Sequence, residues 1–251
     1  MIDKNILALI ADSLALTSKD TVLEIGPGLG FLTQELLKRG ASVLAVEKDR
    51  AYAAHLGKIF KDQSFRVIEK DILEFDFVGA QLIAPLQLPV KVIGNIPYNI
   101  TSPIVEWLIE NRALVSEAVL TVQWEVAQRL AGKPGGKDWS SLSVFLQFYA
   151  DVSLLKKIGR GSFYPPPKVD SAVVRLKFLK TPYFAVKDQE FLFSLVRKAF
   201  QKRRKTILNA LEGEKTKKEL EPSLLQCSID PRRRPETITL AEWAQLADLL
   251  L

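Results

Sequence analysis

The stretch Val22-Leu23-Glu24-Ile25-Gly26-Pro27-Gly28-Leu29-Gly30 decides how the rest of the chain is read. Four strand-forming positions run into a glycine loop, and a helix pattern starts directly behind it. Gly26 and Gly28 admit backbone angles closed to other residues and let a ligand approach the main chain. The spacing Gly26-x-Gly28-x-Gly30 is tighter than the GxGxxG dinucleotide fingerprint, and no Lys-Ser/Thr pair of a P-loop follows. Glu24 stands before the first glycine, where a carboxylate repels a pyrophosphate and attracts an ammonium or sulfonium. The loop therefore points away from NAD and toward S-adenosylmethionine.

Working outward, strand and helix signals alternate. Residues 5–16, 31–39, 51–60, 102–110 and 126–131 carry helical patterns, with Gly40 as a C-terminal cap. Residues 22–25, 42–46, 65–69, 90–93, 118–123, 142–148, 152–157 and 171–178 read as strands. Strands separated by helices imply parallel pairing through right-handed crossovers, with ligands beyond the carboxyl ends of the strands. After Thr181-Pro182 only helical patterns remain. We expect one domain over residues 1–180 and a small helical domain over 181–251.

Two more acids fall at strand ends. Glu47, beside Lys48, lies 21 residues after Gly26, where a carboxylate receives a ribose diol. Asp71 ends the third strand, placed to accept from an adenine amine with Ile72 packed nearby. Three acids at successive strand ends are hard to reconcile with turn formation alone. A fourth strand end carries Ile93-Gly94-Asn95-Ile96-Pro97-Tyr98. An aromatic exocyclic amine is a poor nucleophile because its lone pair is delocalised into the ring. Acceptors on its hydrogens, the Asn95 side-chain oxygen and a carbonyl near Ile96, favour a pyramidal nitrogen. Tyr98 is placed to stack on a base drawn out of its helix.

Composition narrows the classes. One cysteine, Cys227, rules out an intrachain disulfide and a CxxC zinc site. The single histidine, His55, sits in a surface-helix pattern, so histidine triads and multi-histidine metal sites are excluded. No signal peptide or membrane span is read, and a cytoplasmic location follows by default. The net charge is +6. Residues 1–176 hold 20 basic against 19 acidic residues, and residues 177–251 hold 15 against 10. Arg197, Lys198, Lys202, Arg203, Arg204 and Lys205 form a basic run on a helix with an apolar stripe, suited to RNA phosphates. Arg232-Arg233-Arg234 adds a second cluster. A solvated, solubilising helix face is the competing reading of both.

The glycine loop and Asn95-Ile96-Pro97-Tyr98 together resemble the ribosomal RNA adenine dimethyltransferases. Phe163-Tyr164-Pro165-Pro166-Pro167-Lys168-Val169-Asp170-Ser171 and Ala199-Phe200-Gln201-Lys202-Arg203-Arg204-Lys205-Thr206-Ile207 sharpen the resemblance to the bacterial KsgA-type, small-subunit branch. It implies an α/β fold, a Rossmann-like class I methyltransferase sheet with a small C-terminal helical domain. It implies dimethylation of two adjacent adenosines in the 3'-terminal hairpin of small-subunit (16S) ribosomal RNA, in a pre-ribosomal particle, with a role in ribosome biogenesis. S-adenosylmethionine would be held by Glu24, Gly26, Gly28, Glu47, Lys48, Asp71, Ile72 and Asn95. Asn95, Ile96, Pro97 and Tyr98 would handle the target base, and Phe163 would close its other face. No metal, no membrane and a monomer are expected.

Two departures stand out. Relatives carry a basic segment ending in a Gln-Asn-Phe-Leu-like motif ahead of the match to Ile2-Asp3-Lys4-Asn5, so cofactor affinity and turnover are expected to be sensitive to its absence. Trp124 stands where the family usually has lysine. Competing readings are a large-subunit adenine methyltransferase of the macrolide-resistance type, a non-catalytic assembly factor, and a DNA adenine methyltransferase. The last would usually carry an acid at the Asn95 position or a second proline before the aromatic residue.

Overall fold

A computed structural model describes residues 1–61, 63–81 and 88–251. The chain divides into two compact units, one of residues 1–127 with 151–178, the other of residues 128–150 with 179–251. Residues 128–150, expected before a boundary at 180, thus pack with the C-terminal helices.

In the first unit the elements run α1 (Lys4–Asp12), β1 (Thr21–Ile25), α2 (Phe31–Lys38), β2 (Ser42–Glu47), α3 (Arg50–Ile59), β3 (Phe65–Glu69), α4 (Phe77–Gln81), β4 (Val90–Asn95), α5 (Thr101–Glu110) and β5 (Val115–Gln123). Next come α6 (Trp124–Leu130), which runs into the second unit, then β6 (Ala150–Ile158) and β7 (Ser171–Phe178). One seven-stranded sheet results, in the order β3-β2-β1-β4-β5-β7-β6. The strands β3, β2, β1, β4 and β5 pair in parallel. β7 departs from the all-parallel expectation by pairing antiparallel with β5, Gln123 opposite Ser171. No α-helix lies between β6 and β7 to carry a parallel crossover. β1 is buried at all five positions, as an inner strand covered on both faces must be. Leu7, Ile10, Leu14, Leu36, Leu56 and Phe60 pack with strand residues such as Val43, Ile93 and Val173 into one apolar core. His55 is exposed on α3, as expected.

The second unit is helical: α7 (Ser141–Tyr149), α8 (Gln189–Gln201), α9 (Ile207–Leu211), α10 (Lys217–Gln226) and α11 (Leu240–Leu250). α7 overturns the strand expected over residues 142–148. That run is apolar on almost every side, so it carries no period to separate helix from strand. Its start decides the matter: Ser140 and Ser143 cap each other's backbone in a capping box. Its rings then join Phe193 of α8, Phe145 at 4.6 Å and Phe148 at 5.5 Å, both edge-on. Trp243 of α11 is fully buried. Trp139 is buried too, and its indole N–H donates to the Ile238 carbonyl at 3.0 Å.

Candidate active site

The carboxyl ends of β1, β2 and β4 converge because these strands are parallel neighbours in register. A cavity of about 320 Å³ opens there, lined by Glu24, Gly26, Gly28 and Asn95 among the expected residues. Leu29 and Phe31 line it as well, and both are exposed large apolar side chains. Apolar walls with a few polar groups suit a small organic ligand.

Glu24 is buried at the cavity floor. Thr33 of α2 donates its hydroxyl to Glu24 Oε2 at 2.6 Å. Burial pushes the carboxyl up to about 7, the Thr33 hydrogen bond opposes that, and the charge of Glu47 adds to it. Glu47 is held by the backbone: Oε2 accepts from Gly28 N at 3.0 Å and Oε1 from Asp49 N at 2.9 Å. One carboxylate thus ties the glycine loop to the start of α3. Each oxygen retains a lone pair for a further donor.

The glycine loop has two different uses for missing side chains. At Gly28, with φ of +58°, a Cβ would meet nothing within 4 Å, leaving open space on the ligand side. At Gly30, with φ of +79°, a Cβ would lie 2.7 Å from Leu56 and 2.8 Å from Phe60, so that glycine serves packing.

Asp71 lies two residues beyond β3 and caps the turn after it, accepting from Leu73 N at 3.0 Å. Its other oxygen pairs with Lys48 Nζ at 2.9 Å, and that ammonium holds the carboxyl below its ordinary value. Ile72 is buried beside it. Glu47, Lys48, Asp71 and Ile72 therefore cluster at neighbouring strand ends, but they do not line the cavity around Glu24.

Asn95 ends β4 with an exposed side chain, while Ile96 is buried and its N–H donates to the Thr121 carbonyl at 3.0 Å. That bond fixes the turn behind Asn95. Pro97 is exposed, and Tyr98 starts a single 3-10 turn. The Tyr98 hydroxyl shares a 2.7 Å hydrogen bond with Ser171 Oγ, which joins the Asn95–Tyr98 loop to the Phe163–Ser171 motif. Phe163 is half-buried and packs on the core, whereas its neighbour Tyr164 is 81% exposed and lines the cavity. Met1 and Ile2 also line it, and Ile2 N donates to the Ser162 carbonyl at 3.0 Å. Thr33, Tyr164 and the first two residues were not legible as site residues. Tyr164 and Ile2 fall in stretches quoted for the resemblance but carried no assigned role there, and only the folded chain brings Thr33 to Glu24 and Met1, Ile2 and Tyr164 to the same cavity.

In the second unit the six expected phosphate contacts separate into two groups. Lys198 pairs with Glu214 at 2.7 Å, and Arg203 donates to the Lys137 carbonyl and lies 3.9 Å from Glu236. Arg197, Lys202, Arg204 and Lys205 are exposed. Arg233 is likewise engaged, donating to Glu242 and Thr237. Among the described residues no group of three or more His, Cys, Asp and Glu side chains is placed to hold a metal ion. No helix there is long and apolar enough to cross a membrane.

Comparison with known proteins gives a consistent result. "Ribosomal RNA small subunit methyltransferase A" of Moorella thermoacetica is 42% identical over 261 aligned positions, covering 100% of this chain and 89% of that protein. The protein of the same name from Hahella chejuensis is 43% identical over 247 positions, covering 98% and 88%. Among solved structures, a dimethyladenosine transferase from Plasmodium falciparum superposes with a TM-score of 0.82 at 27% identity, over 98% of this chain and 95% of that one. The 23S rRNA methyltransferase ErmE gives 0.77 at 28% identity, over 99% and 98%. Both share the Rossmann-like sheet and the C-terminal helices. The profile of the family described as "Ribosomal RNA adenine dimethylase" spans residues 1–251, and with relatives above 40% identity along the whole chain, this protein belongs to that family.

Proposed function

We propose that this chain methylates the exocyclic amine of two adjacent adenosines in the 3'-terminal hairpin of small-subunit (16S) ribosomal RNA, giving dimethyladenosine, with S-adenosylmethionine as methyl donor. The observation that carries the reading is the cavity at the carboxyl edge of the sheet, with buried Glu24 on its floor and Asn95 at its rim. The residues present fit the donor. The open space at Gly28 accepts a close ligand, Leu29 and Phe31 offer apolar contact, and Glu24 favours a cation. Glu24, Gly26, Gly28 and Asn95 would hold its amino-acid end. Glu47, Lys48, Asp71 and Ile72 would hold its nucleoside end.

When bound, S-adenosylmethionine supplies an electrophilic methyl group on a sulfonium. The chain's own contribution is to place the base. The Asn95 side-chain oxygen and the backbone at Ile96 accept from the two amine hydrogens and turn the nitrogen lone pair toward the donor. Tyr98, steadied through Ser171, stacks on the extruded adenine, and Phe163 and the Pro97 turn border it. Phosphates are met by Arg197, Lys202, Arg204 and Lys205, with Lys198 and Arg203 behind them. The names of the curated relatives support the small subunit as target, and the reading places the work on a pre-ribosomal particle in the cytoplasm. No metal has a role in this chemistry, and the chain acts as a monomer.

The test is transfer of labelled methyl groups to small subunits lacking the modification, with the modified nucleosides identified by mass. Dimethyladenosine in 16S RNA is the expected product, and label in the large subunit alone would overturn the assignment. Asn95→Ala should lower kcat by about 100-fold or more, the cost of losing one preorganised hydrogen-bonding group. The donor's dissociation constant should change far less. Equal loss of both would remove the role given to Asn95.

A further inference from the structure

A second cavity, of about 530 Å³, lies beside the Phe163–Ser171 motif and takes no part in the site above. Its walls include Trp124, Arg160, Lys168 and Asp170. Trp124, at the start of α6, is half-buried, with the Lys157 ammonium 5.0 Å from its ring centre. Arg160 and Lys168 are exposed. Two carboxylates line it as well: Glu125, which is exposed, and Asp170, which pairs with Lys157 at 3.1 Å and accepts from Arg160 N at 3.3 Å, so the three cations Arg160, Lys168 and Lys157 outnumber them. Trp124 N donates to the Asp170 carbonyl at 2.9 Å, so the backbone that carries the indole is fixed to the same turn. The next residue is Ser171, whose hydroxyl holds Tyr98 at 2.7 Å. An aromatic ring, two exposed cations and a third cation over the ring therefore meet at a turn one residue from Ser171, the hydrogen-bond partner of Tyr98.

We propose that this cavity is an RNA subsite, in which Trp124 stacks on an unpaired nucleotide flanking the target adenosine while Arg160 and Lys168 contact its phosphates. The inference rests on the RNA-methylating role of the main site and adds to it a contact that sets which strand and direction enter. Aromatic stacking tolerates any base, and phosphate contacts carry no sequence, so the subsite positions the strand without reading it. An aromatic platform beside a cationic track is the arrangement by which single strands are held.

The variants Trp124→Ala, Trp124→Phe and the double change Arg160→Ala with Lys168→Ala decide the matter. They are assayed for methyl transfer to unmodified small subunits, for binding of those particles across a salt series, and for S-adenosylmethionine affinity. Trp124→Ala should raise KM for the particles roughly 5- to 100-fold, with kcat and donor affinity held, and Trp124→Phe should recover most of it. The double variant should raise KM and flatten the logarithmic salt slope of binding by about 1.4, for two single-strand phosphate contacts. Unchanged KM and slope would overturn the inference. So would equal loss of particle binding and donor affinity in Trp124→Ala, which marks a structural residue. A wild-type chain that binds particles but transfers no methyl group counts against the proposed reaction, and the binding series then still decides the subsite.

Discussion

Buried at the cavity floor with Thr33 as its hydrogen-bond donor, Glu24 ionises near neutrality. In the unfolded chain it would lose its proton near 4.5, and in the fold near 7. Between those values the folded chain holds a proton that the open chain has released. Stability from this group is thus greatest below about 4.5 and is lost as pH rises through 7, by roughly 3 kcal/mol. A cationic ligand favours the ionised form, so S-adenosylmethionine should bind about tenfold more tightly at pH 8 than at pH 6. Glu24→Gln should flatten that dependence and lower affinity, while raising the melting temperature at pH 8. Calorimetric titration at the two pH values checks this, and a flat wild-type affinity would remove the role of Glu24. The glycine loop offers a contrast at the same scale. Gly30→Ala drives a methyl into Leu56 and Phe60 and should cost roughly 1–3 kcal/mol of stability. Gly28→Ala meets open space, so left-handed strain alone, about 1 kcal/mol, should reach stability. Donor affinity should suffer more at position 28 than at 30, as thermal melts with and without donor would reveal.

Among the elements, α7 shows how a cap outranks an apolar run. Val144, Leu146, Phe148 and Tyr149 are all buried, which any buried strand would satisfy equally. Ser140 settles the conformation by accepting from Ser143 N, while the Ser143 hydroxyl answers Ser140 N at 3.0 Å. Ser140→Ala should therefore cost about 1 kcal/mol of stability, and Ser140→Asp should restore most of it. Urea denaturation followed by circular dichroism measures both, and an unaltered midpoint for the alanine variant would argue that packing alone fixes the helix. The strands of the first unit were plain in the sequence from β1 to β5. There the apolar runs are short, a glycine or an acid stands at the end of β1 to β4, and helical periods intervene everywhere except between β3 and β4. β7 was legible as a strand but not in its direction, because alternation along a strand says nothing about which neighbour it joins.

For the whole molecule, charge is divided by unit more sharply than by position in the chain. The second unit holds 17 basic against 11 acidic residues, which is the entire +6, and the first holds 18 of each. The net positive charge that would attract a polyanion at long range therefore resides in the helical unit. Not every cation there is available. Arg233 bonds Glu242 and Thr237, and Arg203 bonds the Lys137 backbone, so changing either disturbs packing as well as charge. Arg204→Glu with Lys205→Glu is the cleaner test. The pair should weaken particle binding and flatten the logarithmic salt slope by about 2, with the melting temperature held. An unchanged slope would make the basic run a solvated face.

The sequence by itself determined the alternating α/β order, the glycine loop after β1, the acids at successive strand ends and the Asn95–Tyr98 loop. Each is a local pattern, a period or a turn chemistry written within a few residues. Tertiary structure decided the rest. It placed Thr33 on Glu24, joined Tyr98 to Ser171 across 73 positions, and brought Met1, Ile2 and Tyr164 to the cavity wall. It also engaged Lys198, Arg203 and Arg233 in pairs while leaving Arg204 and Lys205 exposed. The reason is physical. A side chain's partners depend on which elements pack together, and packing is a property of the whole core rather than of any window along the chain.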